Sequence, residues 1–401
     1  MTLLACSVLV FVPRADAVTS RDVPDRFAPA ATAWTSPSSG WVVGAAPCGS
    51  RSCPVLARTV DGGRSWWRTT VPELAVRAGE AVRIAFANPS VGVLTDGTRL
   101  HVTHDGGHTW QAAAVEGAVP PVRFGAVVAE PDRLYAVVVG SSQTRLHTAS
   151  PDVARFTPAP GVRVPGAADG EVAVAADGLH VVLAAVHRVN RHWVEVGHRW
   201  VSTAPPCPMG AATELAATGS SLFALCSSDP GMGRMTKMLK VSQAGAAFRS
   251  LGEAPRAGIT TGLAAVSPSA VAVTAVGRGA AWLHLGREHG TRWSSPLVLG
   301  GPPLREPLFT NPGHGALVRG GPGWATARLL LTSDGGTTWL PVDFSSAATD
   351  PGHQTQGWVP MTPSTSDRQP RTENTRGRHD PRRTCHPPPV QTGCTSASPS
   401  A

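Results

Sequence analysis

The sequence predicts an all-β fold, a closed ring of seven four-stranded blades, on three observations. Apolar residues come in runs of four to eight rich in Val, Ala and Leu, split by Gly, Pro, Ser and Asp, while helical periodicity is scarce. One phrase recurs almost unchanged: "TVDGGRSWW" at Thr59–Trp67, "THDGGHTW" at Thr103–Trp110 and "TSDGGTTW" at Thr332–Trp339. In stronger or weaker form it returns about every 45 residues, the repeat length of a β-propeller blade.

Aligning on the aromatic, with an acidic residue five positions earlier and a glycine three earlier, gives Asp61, Gly63, Trp66; Asp105, Gly107, Trp110; and Asp334, Gly336, Trp339. With Glu for Asp, Glu195, Gly197, Trp200 and Glu288, Gly290, Trp293 also fit. Phe156 and Phe248 mark two weaker copies, with Asp152 displaced by one position and Gln243 in the acidic place. The seven aromatics fall at 66, 110, 156, 200, 248, 293 and 339, separated by 44, 46, 44, 48, 45 and 46 residues. Seven copies predict seven blades over residues 30–345.

Within blade one the runs 31–36, 41–46, 54–59 and 65–70 are read as strands A to D, from the central channel outward. The phrase then lies on the turn from C to D. Its Asp accepts hydrogen bonds from turn N–H groups, its glycines tolerate positive φ, and its Trp opens strand D and covers apolar surface. The box acids therefore read as structural, and no catalytic residue is assigned.

The same strand order sorts the loops by face. A–B turns share a face with the C–D turns, and B–C and D–A loops share the other, over the channel mouth. Cys48 and Cys53 belong to the B–C loop of blade one; Cys207 precedes strand A of blade five and Cys226 closes its strand B. Both pairs have their ends together, so bridges Cys48–Cys53 and Cys207–Cys226 are expected in an oxidising compartment. On the same face, the loop with Arg51 and the "SSDPGMGRMTKM" segment with Met232, Arg234, Met235 and Lys237 form the candidate binding face.

The net charge of +8 is carried by arginines, since Lys237 and Lys240 are the only lysines. They are scattered one or two per strand rather than clustered, which argues against a nucleic-acid partner. His101, His104 and His108 invite a metal reading, but residues 101 and 104 point to opposite faces of a strand, so neither metal nor cofactor is assigned. Leu3–Val12 followed by "PRADA" reads as a signal peptide ending at Ala17, with lipid attachment at Cys6 as the alternative; residues 18–29 lead into the ring. No run is long enough for a membrane-spanning helix. Residues 346–401, rich in Pro, Thr, Ser and Arg, are expected to be a disordered tail.

The phrase S/T-x-D-x-G-x-x-W resembles the Asp-box, or bacterial neuraminidase repeat, and the resemblance covers residues 30–345. That family includes sialidases, sortilin-type receptors and a photosystem II assembly factor, so the resemblance implies the fold more than one activity. A sialidase would need an arginine triad and a Glu-activated Tyr. Here Tyr135 is the only tyrosine, read as a packing residue of strand B in blade three, and "VRIAF" keeps Arg83 and Ile84 without the family's proline. The expectation is an exported, monomeric, non-catalytic platform that binds a protein or glycan at the channel mouth, with a sialidase-like glycan-active or carbohydrate-binding protein as the alternative.

Overall fold

A computed structural model describes residues 23–76, 82–118, 120–185, 189–228 and 234–344. The expected leader, the expected tail and Met232 lie outside them. Blade one is Ala28–Trp34 (β1), Gly40–Cys48 (β2), Arg51–Thr59 (β3) and Trp67–Thr69 (β4). Blade two is Arg83–Phe86 (β5), Gly92–Thr95 (β6), Leu100–Thr103 (β7) and Gln111–Ala112 (β8). After the short Ala114–Val115 (β9), blade three is Arg123–Ala129 (β10), Leu134–Val139 (β11), Gln143–Ala149 (β12) and Arg155–Pro165 (β13). Blade four is Asp169–Ala175 (β14), Gly178–Ala185 (β15), Val189–Val196 (β16) and Arg199–Thr203 (β17). Blade five is Ala212–Thr218 (β18), Ser221–Ser228 (β19), Thr236–Gln243 (β20) and Arg249–Glu253 (β21). Blade six is Ile259–Ser267 (β22), Ala270–Gly277 (β23), Ala280–Arg287 (β24) and Arg292–Gly300 (β25). Blade seven is Leu304–Phe309 (β26), Gly315–Arg319 (β27), Arg328–Thr332 (β28) and Leu340–Pro341 (β29).

Each blade is an antiparallel sheet in sequence order, and the first strands meet around the axis, β1 to β5 to β10 to β14 to β18 to β22 to β26. The result is a seven-bladed β-propeller. One segment departs from the expected register: "TWQAAAV" does not run on as one outer strand. It breaks after β8, and β9 crosses to pair in parallel with β13, Ala114 to Arg155 and Val115 to Phe156. Blade three thereby gains a fifth strand that covers its outer edge.

Among the described residues blades one and seven each keep their own four strands and meet through an apolar seam. Val42, Val55 and Trp66 of blade one meet Val318, Leu329 and Leu331 of blade seven. Phe344 sets its ring edge-on to Phe27 at 4.9 Å and tilted against Trp66 at 5.2 Å. Edge-to-face aromatic contacts of this kind add about 1 kcal/mol beyond their buried area.

Blades seven, one and two, neighbours across this closure, share one further device. The last residue of strand A is aromatic and lies over a glycine that opens strand B: Phe309 over Gly315, Trp34 over Gly40, Phe86 over Gly92. The same aromatics touch the Trp of the C–D turn at 5.9–6.3 Å. The turn itself then abuts the preceding blade. A β-carbon on Gly63 would lie 2.6 Å from Leu331, and one on Gly107 would lie 3.2 Å from Leu56. Both residues have positive φ, +85° and +91°.

Gly107→Ala should therefore lower Tm by more than Gly49→Ala. Both positions have positive φ, with a backbone cost on the order of 1 kcal/mol, but a β-carbon at Gly49 meets nothing within 4 Å. Paired thermal melts read the difference, which measures the contact between blades one and two.

Candidate functional site

The three strong turns share one geometry. The Asp61 carboxylate accepts from the amides of Arg64 and Ser65 at 3.0 Å, and that of Asp334 from Thr337 and Thr338 at 3.0 and 2.9 Å. Asp105 accepts from the amide and hydroxyl of Thr109 at 2.8 and 2.6 Å. A threonine two residues before each acid donates to the carboxylate and accepts from the second glycine's amide: Thr59 with Gly63, Thr103 with Gly107 and Thr332 with Gly336. The first glycine's amide is clipped to the A–B turn of its own blade, Gly62 to Ser38, Gly106 to Ser90 and Gly335 to Gly313. The Thr338 amide and hydroxyl hold the Asp334 carboxyl down at about 2. For Asp105 partial burial opposes the shift, yet the Thr109 and Thr103 bonds prevail and its carboxyl also lies at about 2.

The two glutamate copies are built differently. The Gly197–His198 turn of blade four is a tight hairpin with positive φ at both residues, so Glu195 pairs across the strands with Trp200 instead of capping. Its carboxylate leaves its own blade: it accepts from the Tyr135 hydroxyl at 2.8 Å and pairs with Arg133 of blade three. Tyr135 is thus a seam residue, 3% exposed, and burial together with Glu195 holds its hydroxyl protonated. In blade six, Glu288 has φ +52°, and its exposed carboxylate reaches Arg292 rather than the turn amides. Gly290 and Trp293 keep their packing places, Gly290 against Leu239 and Trp293 in the cluster with Leu251. Gly197, by contrast, packs on nothing within 4 Å. The longer glutamate side chain, on a hairpin without the Gly-Gly pair, has no set of amides within reach.

Both expected bridges are formed, Cys48–Cys53 with Cα atoms 5.8 Å apart and Cys207–Cys226 with Cα atoms 5.3 Å apart. Two disulfides suit an oxidising environment outside the cytoplasm. The described residues of the candidate binding face differ in exposure. Arg51 is exposed at the start of β3 and Arg234 is exposed before β20, but blades one and five are not neighbours in the ring. Met235 is buried, and Lys237 is fully buried. The Lys237 ammonium donates to the carbonyls of Pro255, Ala257 and Gly258 at 2.8–2.9 Å, fastening the connection from blade five to blade six. Lys240 similarly donates to Pro206 at 2.7 Å, in the connection from blade four to blade five. Both lysines are spent on the scaffold because each lies opposite a loop whose carbonyls face inward.

What converges is elsewhere. A cavity of about 450 Å³, open to solvent, occupies the channel at the end of the B–C and D–A loops. Five inner strands send six charged residues to it: Arg83, Arg123, Asp169, Glu171, Glu214 and Glu306. Arg83 pairs with Glu306 at 2.7 Å, bridging blades two and seven across the front of blade one. A β-bulge between Arg305 and Leu308, with Glu306 at φ +54°, re-aims this side chain. Burial pushes the Glu214 carboxyl up to about 7 against the pull of Arg83. Burial and the Glu214 charge also raise Glu171 well above the usual carboxylate range. Sequence reasoning missed the three glutamates, because nothing in the chain marks the third residue of an inner strand as facing the channel. The usable signal was a charge at matched places in otherwise apolar strands, "DGEVAVA" and "ATELAAT". The histidines considered for metal do not gather: His101 is buried in β7 while His104 and His108 are exposed.

No family model matches the chain, and no curated protein matches it. Among solved structures it is similar to a puromycin-hydrolysing peptidase of Mycobacterium tuberculosis, at 14% identity and TM-score 0.55, over 80% of this chain and 54% of the peptidase. It is also similar to YCF48 from Cyanidioschyzon merolae, at 14% identity and TM-score 0.49, over 78% and 97% of the two chains. The propeller domain of the Trilobed protease from Pyrococcus furiosus aligns at 8% identity and TM-score 0.49, over 79% and 95%. At such identities the likeness to the peptidase is one of fold, and the chain spans about half of that enzyme's length.

Two outcomes follow. Because the Asp105 and Asp334 carboxyls lie at about 2 in the folded state, below their ordinary 3.8, they stabilise the fold above about pH 4, and this contribution is lost as pH falls toward 2. Asp105→Ala should lower Tm at pH 7 by the scale of a lost cap, about 1 kcal/mol, and the gap from wild type should close in acid melts. Lys237→Met, which removes the ammonium donor shared by the Pro255, Ala257 and Gly258 carbonyls, should cost about 1–3 kcal/mol in urea unfolding.

Proposed function

We propose that the chain is an exported, non-catalytic propeller of the Asp-box class, a binding or assembly platform in the cell envelope or outside the cell, which takes its partner at the channel mouth. The carrying observation is the convergence of Arg83, Glu171, Glu214 and Glu306 from four blades onto one solvent-open cavity. Three turns with a shared Asp, Gly and Trp geometry support the Asp-box assignment, and the two disulfides support export. Four carboxyl groups, Asp169, Glu171, Glu214 and Glu306, against the two guanidinium groups of Arg83 and Arg123 favour a partner that brings a cationic group, a protein segment with Lys or Arg more readily than an acidic glycan.

The glycan-active reading draws on the same cavity, since an arginine stands there beside carboxylates. Against it, the single tyrosine lies outside the cavity, buried on Glu195 with its hydroxyl held protonated, the reverse of an activated nucleophile.

Fluorescent Lys-rich and Glu-rich peptides, a glycan array and a fluorogenic sialoside separate the two readings on the full chain. Retention of the Lys-rich peptide, lost in Glu171→Gln/Glu214→Gln at unchanged Tm, is the expected outcome, with no sialoside turnover. Turnover that disappears in Arg83→Gln or Tyr135→Phe would overturn the non-catalytic reading.

A further inference from the structure

His180 on β15 and His192 on β16 stand side by side at the seam between blades four and five, each 2% exposed. They form the middle of a continuous chain of polar contacts. Asp177 Oδ1 lies 3.2 Å from His180 Nε2, His180 Nδ1 lies 3.1 Å from His192 Nε2, and His192 Nδ1 lies 3.2 Å from the Ala204 carbonyl. Both ends of this chain, a carboxylate and a carbonyl, can only accept. Three contacts need three protons, and two neutral imidazoles carry two. The chain is complete only with one proton more.

Its position follows from the ends. The Ala204 carbonyl requires Nδ1–H on His192, which leaves His192 Nε2 to accept from His180 Nδ1–H. His180 must then meet Asp177 with a second N–H, so the additional proton sits at His180 Nε2, beside the carboxylate. His192 stays neutral in this arrangement, and burial, with the His180 charge beside it, pulls it down to about 4. Asp177 and the neighbouring imidazole are the titratable groups acting on His192. Blade five presents uncharged partners: the Phe248 ring edge-on to His192 at 5.9 Å, and Gly245, where a β-carbon would stand 3.1 Å from Asp177 Oδ2. The amide of Ala176 also donates to Gly219 across the seam at 2.8 Å.

We propose that the Asp177–His180–His192–Ala204 chain is a proton-operated lock on the seam between blades four and five. At mildly acidic pH a proton taken from solvent to His180 Nε2 closes the chain. As pH rises that proton returns to solvent, and one buried contact becomes two facing acceptors, which loosens the seam. The lock contributes while the proton is held and not once it is lost; His192, neutral in the fold and held at about 4, takes up its own proton on unfolding below its ordinary 6.5 and works in the opposite sense at the acid end.

Asp177→Asn is the discriminating variant. An asparagine amide can donate Nδ2–H to His180 Nε2, supplying the third proton without charge. The Tm of wild type less that of Asp177→Asn should fall between about pH 5 and pH 8, the range in which histidines titrate, because the buried histidines with lowered values, His101, His147, His192 and His284, are common to both proteins. Long-range 1H–15N spectra of the full chain at pH 5.5 should show His180 doubly protonated and His192 as the neutral Nδ1–H tautomer, and both rings neutral in the variant. Wild-type spectra with both rings neutral throughout, or a variant whose Tm profile parallels the wild type, would overturn the lock. The spectra decide even if the variant fails to fold.

Discussion

The fold depends on one contact repeated around the ring, the place where a turn glycine meets a leucine of the preceding blade. Gly63 against Leu331, Gly107 against Leu56, Gly290 against Leu239 and Gly336 against Leu285 are the same event at four seams. A blade cannot bury both its faces alone, so its stability is largely the stability of its two seams. The glycine serves twice, since the turn needs positive φ and the neighbour needs the space of the missing side chain. The acidic residue and its threonine hold the turn in the one conformation that presents this flat backbone to the next blade.

Where that device weakens, other chemistry takes over the seam. Between blades three and four the junction is the Tyr135–Glu195–Arg133 group, and between four and five it is the histidine chain with Gly245 and Phe248. The three blades with the complete turn are contiguous, seven, one and two, and they flank the junction of the first and last blades. An apolar cluster fills the junction of the first and last blades, where the chain does not run on from one to the other. Polar and titratable seams occur where the chain runs directly from one blade to the next, and there a pH-dependent contact can loosen without opening the ring.

The connections from strand D to the next strand A are fastened by single polar side chains. Asp96 accepts from the Ala75 amide, Thr144 from the Ala168 amide, Asn190 donates to Cys207, and Lys237 and Lys240 donate to linker carbonyls. These linkers frame the channel mouth, so the lysines that seemed available to a partner instead fix the frame in which Arg83 and the three glutamates are displayed. The geometry of the candidate site thus rests on groups that do not themselves line the cavity.

Much of this architecture was legible in the sequence, for a reason of range. Blade number, turn positions and both disulfides depend on residues within one repeat or at the ends of adjacent strands: a threonine, an acid and two glycines can form their turn without reference to the rest of the chain. The aromatic–glycine pairs Trp34–Gly40, Phe86–Gly92 and Phe309–Gly315 were readable by the same logic, as a second phrase in register with the first. Tertiary structure alone decided which acids cap and which cross a seam, because Glu195 finds its partners 60 and 62 residues away. It likewise decided the channel mouth, where Arg83 meets Glu306 over a separation of 223 residues. A closed ring brings every inner strand to one axis, and only that closure sets single charges from distant repeats beside one another.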